Sequence, residues 1–210
     1  GGNSSLMEPT HTYNTVGEYT VSLTITDTMG AYNTLQKIIT VNPLPNALFD
    51  INGNICELND VEFVDFSTTQ TGFITEWYWN FGDGEDTIVS FPGLQAIYHT
   101  YTETGYYTVE LTITNSDSCS DTYSSYIYVE PSPIASFTWN GECINTPISF
   151  MDGTAENGGG VLGSWHWDFD DPGSGASATS SLQNPIHIFE QSGDYNVSLI
   201  VSSIFGCYSE

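Results

Sequence analysis

The sequence predicts an all-β chain built of tandem β-sandwich domains, and three observations carry that expectation. Apolar and polar residues alternate with a period of two along most of the chain, as in strands with one face on a core and one in water. Clusters of Gly, Asn, Asp and Pro, the residues that tight turns demand, punctuate these stretches. The chain also repeats itself: GEYTVSLTIT from Gly17, GYYTVELTIT from Gly105 and GDYNVSLIVS from Gly193 are spaced 88 residues apart.

The same offset joins His11, His99 and His187, and it joins Trp79 to Trp167, Phe49 to Phe137 and Pro43 to Pro131. The chain therefore divides into the back part of one repeat (1–44), a complete repeat (45–132) and a third repeat lacking its last strand (133–210). The joints, VNPLPNA and VEPSPIA, are short and proline-bearing, which favours extended, semi-rigid linkers. The opening GGNSSLMEPTHTY reads as the interior of a longer repeating chain.

Within the complete repeat the strand candidates are, in order, ALFDI, VEFVDF, ITEWYWNF, DTIVS, QAIYHTY, YYTVELTIT and YSSYIYV. ITEWYWNF places Trp77, Trp79 and Phe81 on one face and Glu76, Tyr78 and Asn80 on the other. YYTVELTIT turns Tyr107, Val109, Leu111 and Ile113 to a core, with Thr108, Glu110, Thr112 and Thr114 in water. About seven short strands and no convincing helix make an immunoglobulin-like sandwich, one per repeat.

Trp79-x-Phe-Gly-Asp-Gly84, Tyr98-His-Thr-Tyr101 and Gly105–Ile113 together resemble the polycystic kidney disease (PKD) domain. The third repeat matches with Trp167–Asp170, NPIHIF and GDYNVSLIV, and the first from PTHTY onward, so the resemblance covers essentially the whole chain. It implies a seven-stranded sandwich that serves as a spacer or interaction module on extracellular proteins. Many such domains sit beside secreted bacterial hydrolases, in adhesins and in surface-layer proteins.

The loop Gly82-Asp83-Gly84 raises the question of a ligand. In the third repeat it becomes Asp170-Asp171-Pro172-Gly173, which keeps turn competence but not a fixed ligand set, so it reads as a turn. No helix start or lysine follows to hold a phosphate. Some PKD relatives hold calcium through Asp-x-Asp-Gly upstream of the tryptophan strand. That pattern is absent here, where Asp65 and Asp152 stand as single acids, and calcium needs six to eight oxygens. The expectation is no cofactor, with Asp65, Asp83 and Asp152 the candidates if Ca2+ binds.

Cysteines stand at 56, 119, 143 and 207. Pairing within repeats gives Cys56–Cys119 and Cys143–Cys207, with separations of 63 and 64. Each bond would close a loop and contribute about 2–4 kcal/mol. Disulfides place a protein in an oxidising compartment, and the expected location is extracellular or on a cell surface. No Cys-x-x-Cys supports metal ligation.

Composition narrows the partners. With 26 acidic residues against one lysine and no arginine, the net charge is −25, which excludes nucleic acid as a partner and disfavours an anionic membrane surface. No apolar run is long enough for a membrane helix. Three of the four histidines recur at one repeat position and read as elements of the fold, with His166 simply exposed, so no catalytic constellation is expected. Tyr78, Tyr106, Tyr126 and Tyr128 face outward, where they could stack on carbohydrate or a neighbouring chain. Asn3 and Asn196 lie in N-glycosylation sequons, while Thr28, Thr87 and Ser118 fit an Asp-Ser/Thr-apolar O-glycosylation pattern. The function expected is a non-enzymatic segment of a long extracellular fibre, stalk or adhesin, whose partners are neighbouring repeats or further copies. The alternative is a spacer or carbohydrate- or protein-binding module attached to a secreted hydrolase.

Overall fold

A computed structural model describes residues 2–93, 96–158 and 160–209. It is all-β apart from one short 3-10 turn at Pro172–Ala178. Strands β1 (Gly17–Thr26) and β2 (Tyr32–Val41) form a hairpin. The middle repeat follows with β3 (Phe49–Asn52), β4 (Asp60–Asp65), β5 (Ile74–Asn80), β6 (Asp86–Ser90), β7 (Ala96–Thr100), β8 (Gly105–Asn115) and β9 (Ser120–Val129). Gln95, the first residue of the expected QAIYHTY strand, lies outside the described residues. The third repeat contributes β10 (Phe137–Asn140), β11 (Ile148–Asp152), β12 (Leu162–Asp168), β13 (Thr179–Ser180), β14 (Ile186–His187) and β15 (Ser198–Ser203).

The middle repeat is a two-sheet sandwich, with β3-β4-β7 facing β6-β5-β8-β9. Alternation along the strands decides what fills it. Trp77, Trp79 and Phe81 from the end of β5 meet Val109, Leu111 and Ile113 from β8, while Phe49, Val61 and Phe63 come from the opposite sheet. The third repeat repeats the plan, with β10-β11-β14 facing β13-β12-β15 over Phe150, Trp167, Phe169 and Val201. Its second sheet ends at β15, whereas the counterpart β8 pairs with β9 on its other edge. A cleft of about 640 Å³ bordered by Phe137, Phe150, Phe189 and Val197 opens on that side. The matching residues of the middle sandwich share their core with Ile127 and Val129 of β9.

The hairpin keeps the register of β8–β9 shifted by the repeat length: Gly17 faces Val41 as Gly105 faces Val129. Val21, Leu23 and Ile25 are exposed, although their counterparts Val109, Leu111 and Ile113 are fully buried. Among the described residues, no second sheet covers the hairpin.

Candidate functional site

The feature that sets this chain's geometry is the junction between the two sandwiches. Strand β9 is 10 residues long, a rise of about 33 Å at ~3.3 Å per residue. Cys119 sits just before its first residue, in the turn from β8. Cys56 forms a parallel bridge with Glu130, just past its last residue. The two cysteines thus lie at opposite ends of the sandwich, far beyond the ~7 Å Cα separation that a disulfide tolerates. Cys143 and Cys207 are separated in the same way, one before β11 and one in the turn after β15. The expected pairings within repeats are therefore corrected. The bond formed is Cys56–Cys207, with a Cα–Cα distance of 5.5 Å, and Cys119 and Cys143 are free. It joins the downstream end of the middle sandwich to the upstream end of the next.

Polar contacts surround the bond. The Glu57 carboxylate accepts the Ser132 backbone N–H at 3.0 Å and the Asn157 side-chain amide at 3.0 Å. Asn157 also donates to the Ser132 carbonyl at 3.2 Å, so one acid ties the linker and a loop of the third repeat to the middle sandwich. Beside Cys207, Gly206 has φ +84, and a Cβ there would lie 2.2 Å from the Asn54 amide nitrogen. A side chain at this point would have to displace the exposed Asn54 amide, and the left-handed backbone favours glycine. Sequence reasoning missed Asn54, Glu57, Asn157 and Gly206. Glu57 is matched by Ile144 in the third repeat, so self-similarity gave no signal for it.

Each acid named from the sequence is held by a protein donor. Asp83 lies 2.7 Å from Nε2 of His99, whose ring stacks on Phe81 with centroids 3.9 Å apart. Asp171 holds His187 at 3.0 Å, and that ring stacks on Phe169. This pair of pairs, at the repeat offset, ties the turn after the tryptophan strand to the neighbouring strand of the opposite sheet. Asp65 accepts the Trp77 indole N–H at 2.7 Å, and Asp152 accepts that of Trp165 at 2.8 Å. Among the described residues, no three His, Cys, Asp or Glu side chains converge as metal ligands would. His11, at the same repeat position as the buried His99 and His187, is exposed, and so is His166.

Two predictions follow from these anchors. Burial pushes the Asp83 carboxyl up, but hydrogen bonds from His99 and the Glu85 amide outweigh it and hold the group below its ordinary range. A depressed carboxyl pKa stabilises the fold above the unfolded value, and that stabilisation is lost as pH falls through the folded value. Asp83→Asn is therefore expected to destabilise the middle sandwich at neutral pH. Urea titrations should show its deficit against wild type closing below about pH 4; a deficit independent of pH would refute this role. Asp65→Ala removes the acceptor of the Trp77 indole and of the Ser67 amide. It is expected to cost about 1–3 kcal/mol, with Asp65→Asn, which keeps an acceptor, costing less. Equal losses in the two variants would show that the hydrogen bond is not what matters.

The surface residues fall as follows. Asn3, Thr28, Ser118 and Asn196 are exposed and Thr87 is half-buried. Tyr106 and Tyr126 are about four-fifths exposed, at 82% and 83%, and Tyr106 packs on Tyr128. Tyr78 is half-buried and donates to Asp86. No helix among the described residues is long and apolar enough to cross a membrane.

Comparison with known proteins places the repeats. The chain is similar to the PKD1 domain of Vibrio anguillarum Epp, 27% identical over 43% of this chain and 99% of that one, with a TM-score of 0.37. It is similar to the PKD1 domain of the Vibrio cholerae metalloprotease PrtV, 28% identical over 41% of this chain and 98% of that one, with a TM-score of 0.35. It also resembles the fibronectin(III)-like modules of Clostridium thermocellum CbhA, 12% identical over 78% of this chain and 90% of that one, with a TM-score of 0.42. The family model of the PKD domain matches residues 1–43, 41–131 and 130–210, nearly the whole length, and the chain belongs to the PKD domain family.

Proposed function

We propose that this chain is a non-enzymatic structural segment of a long extracellular fibre, stalk or adhesin assembled from tandem PKD repeats. PKD domains are generally non-catalytic modules. The observation that carries the reading is the junction: a covalent bond and a buttressed linker join the end of one sandwich to the start of the next. Such a joint transmits tension and bending between domains, a property of little use to a flexible spacer. The units are 1–44, 45–132 and 133–210, and their partners are neighbouring repeats or further copies of the chain. A disulfide favours an oxidising, extracellular setting. The charge of −25 keeps such arrays from aggregating sideways, and the exposed Asn3, Thr28, Ser118 and Asn196, with Thr87, offer attachment points for glycans. Calcium at Asp65, Asp83 or Asp152 is not part of the proposal, since each carboxylate already serves a protein donor.

The test is the denatured, reduced mass of the protein from its natural source, before and after deglycosylation. A deglycosylated mass far above 23.0 kDa, with further PKD repeats in the additional sequence, is the expected result. A mass near that of this chain would overturn the long array, and an unchanged mass on deglycosylation would remove the glycans. The second reading, a binding module beside a secreted hydrolase, draws on the exposed Tyr106–Tyr128 pair with Tyr126 nearby. It requires a catalytic domain in the additional sequence and polysaccharide affinity that Tyr106→Ala and Tyr126→Ala abolish.

A further inference from the structure

The two free cysteines occupy the same places in their repeats as the two that are bonded. Cys119 corresponds to Cys207 at the repeat offset. Their turns match in detail: Asn115 N–H donates to the Cys119 carbonyl at 3.0 Å, and Ser203 N–H donates to the Cys207 carbonyl at 2.7 Å. The preceding residues, Ser118 and Gly206, share a left-handed backbone, with φ of 63 and 84. Cys143 corresponds to Cys56, one residue short of that offset, and the backbone matches again. Two residues on, Leu58 (φ 62) donates to Tyr101 at 2.7 Å, and Asn145 (φ 57) donates to Phe189 at 2.9 Å. Cys119 therefore stands at the upstream end of the middle sandwich, in the position from which Cys207 reaches back. Cys143 stands at the downstream end of the third, in the position from which Cys56 reaches forward.

We propose that Cys119 and Cys143 are two halves of the same staple, each bonding the complementary cysteine of an adjoining PKD repeat of this type. This inference rests on the tandem-array reading. The rule is that the early cysteine of one repeat bonds the late cysteine of the next, so a repeat that carries both cysteines is covalently held at both ends. The position matching Cys119 in the first repeat is Ala31, so the staple is set repeat by repeat. Formation is a thiol–disulfide exchange. The two thiols lose two protons and two electrons to form one S–S bond, and a small or protein disulfide accepts them and leaves as two thiols. The polar clamp does not recur, since Ile144 replaces Glu57, so the cysteines alone carry the repeating part of the joint. The accessible Cys143 and half-buried Cys119 are open to such exchange.

The experiment extends the full chain by one repeat. Tyr208 is the counterpart of Ser120, so residues 121–210 joined directly after Tyr208 supply the β9 sequence to the third sandwich and then a copy of 133–210. After equilibration in glutathione redox buffer, free thiols are alkylated and unreduced peptides are mapped. Cys143 is expected to be linked to the added copy of Cys207 and to react with iodoacetamide at least tenfold more slowly than in the 210-residue chain. Cys143→Ser should free that copy and leave Cys56–Cys207 intact. The Cys56–Cys207 bond in the same molecule reports whether the junction geometry forms at all. Three results overturn the proposal: Cys143 alkylated while Cys56–Cys207 is present, Cys143 linked to Cys119, or neither junction bond formed. A long native chain with Cys143 free would sink the staple and leave the array reading standing.

Discussion

Trp79→Ala is expected to destabilise the middle sandwich selectively and leave its neighbour folded. Trp79 is 2% exposed and packs against Phe49 at 5.2 Å and Phe63 at 5.8 Å between ring centroids. It is the more deeply buried of the two tryptophans in the core where the two sheets face each other. Truncating a buried tryptophan costs about 3–5 kcal/mol through lost transfer energy and the cavity left behind. A domain of this size is stable by about 5–15 kcal/mol in total, so the loss removes a large share. At about 4–8 °C per kcal/mol the melting transition should fall by on the order of 20 °C. The core around Trp167 is a separate cluster, so the third sandwich should still melt as a distinct transition, lowered only by the loss of its tether to a folded neighbour. Circular dichroism melts of Trp79→Ala and Trp167→Ala check this. If either substitution merged the two transitions into a single cooperative loss, the two cores would not be independent.

The period-two pattern located this core because burial in a sandwich depends on local alternation. Val109, Leu111 and Ile113 point inward whatever the neighbouring domain does, and all three are fully buried. The repeat offset likewise marked His99 and His187. The carboxylates they meet were also legible, since Asp83 and Asp171 share that offset. Comparing Gly82-Asp83-Gly84 with its counterpart as a whole loop hid the one residue that persists. A turn and a carboxylate–imidazole anchor turn out to be the same structure.

The cysteine pairing was illegible for a different reason. In a tandem repeat, pairing within a unit and pairing across units use the same matched positions, so spacing alone does not choose between them. What decides is the length of β9, which carries Cys119 and Cys56 to opposite ends. Strand length was readable from YSSYIYV and its flanks, but its bearing on the cysteines appears only once the strand is laid beside the loop holding Cys56. Residues with no counterpart, such as Glu57 and Asn157, left no trace in the repeat. Their role arises from the contact between domains and not from either domain's own fold.

Cys56→Ser should, in contrast to the tryptophan substitutions, lower whichever transition comes first. When the third sandwich alone unfolds, residues 132–207 remain tethered at both ends to the folded middle sandwich, through the linker and through Cys56–Cys207. When the middle sandwich alone unfolds, residues 56–130 are closed in the same way by the folded third. One bond thus restricts the unfolded state of either domain, and closing a loop of such length stabilises by about 4 kcal/mol. That stabilisation falls on the sandwich that unfolds first, since unfolding the second only doubles the loop, worth about 0.6 kcal/mol; reductant should have the same effect on wild type and none on Cys56→Ser. Small-angle scattering should also show a broader distribution of angles between the sandwiches, because only hydrogen bonds then resist hinging. Cys119→Ser and Cys143→Ser, which break no bond in this chain, should leave both transitions where they are. In Trp79→Ala reductant should lower the middle transition and in Trp167→Ala the third; an effect that stays with one sandwich in both backgrounds would mean the bond lies within a domain, and the junction described above would be wrong.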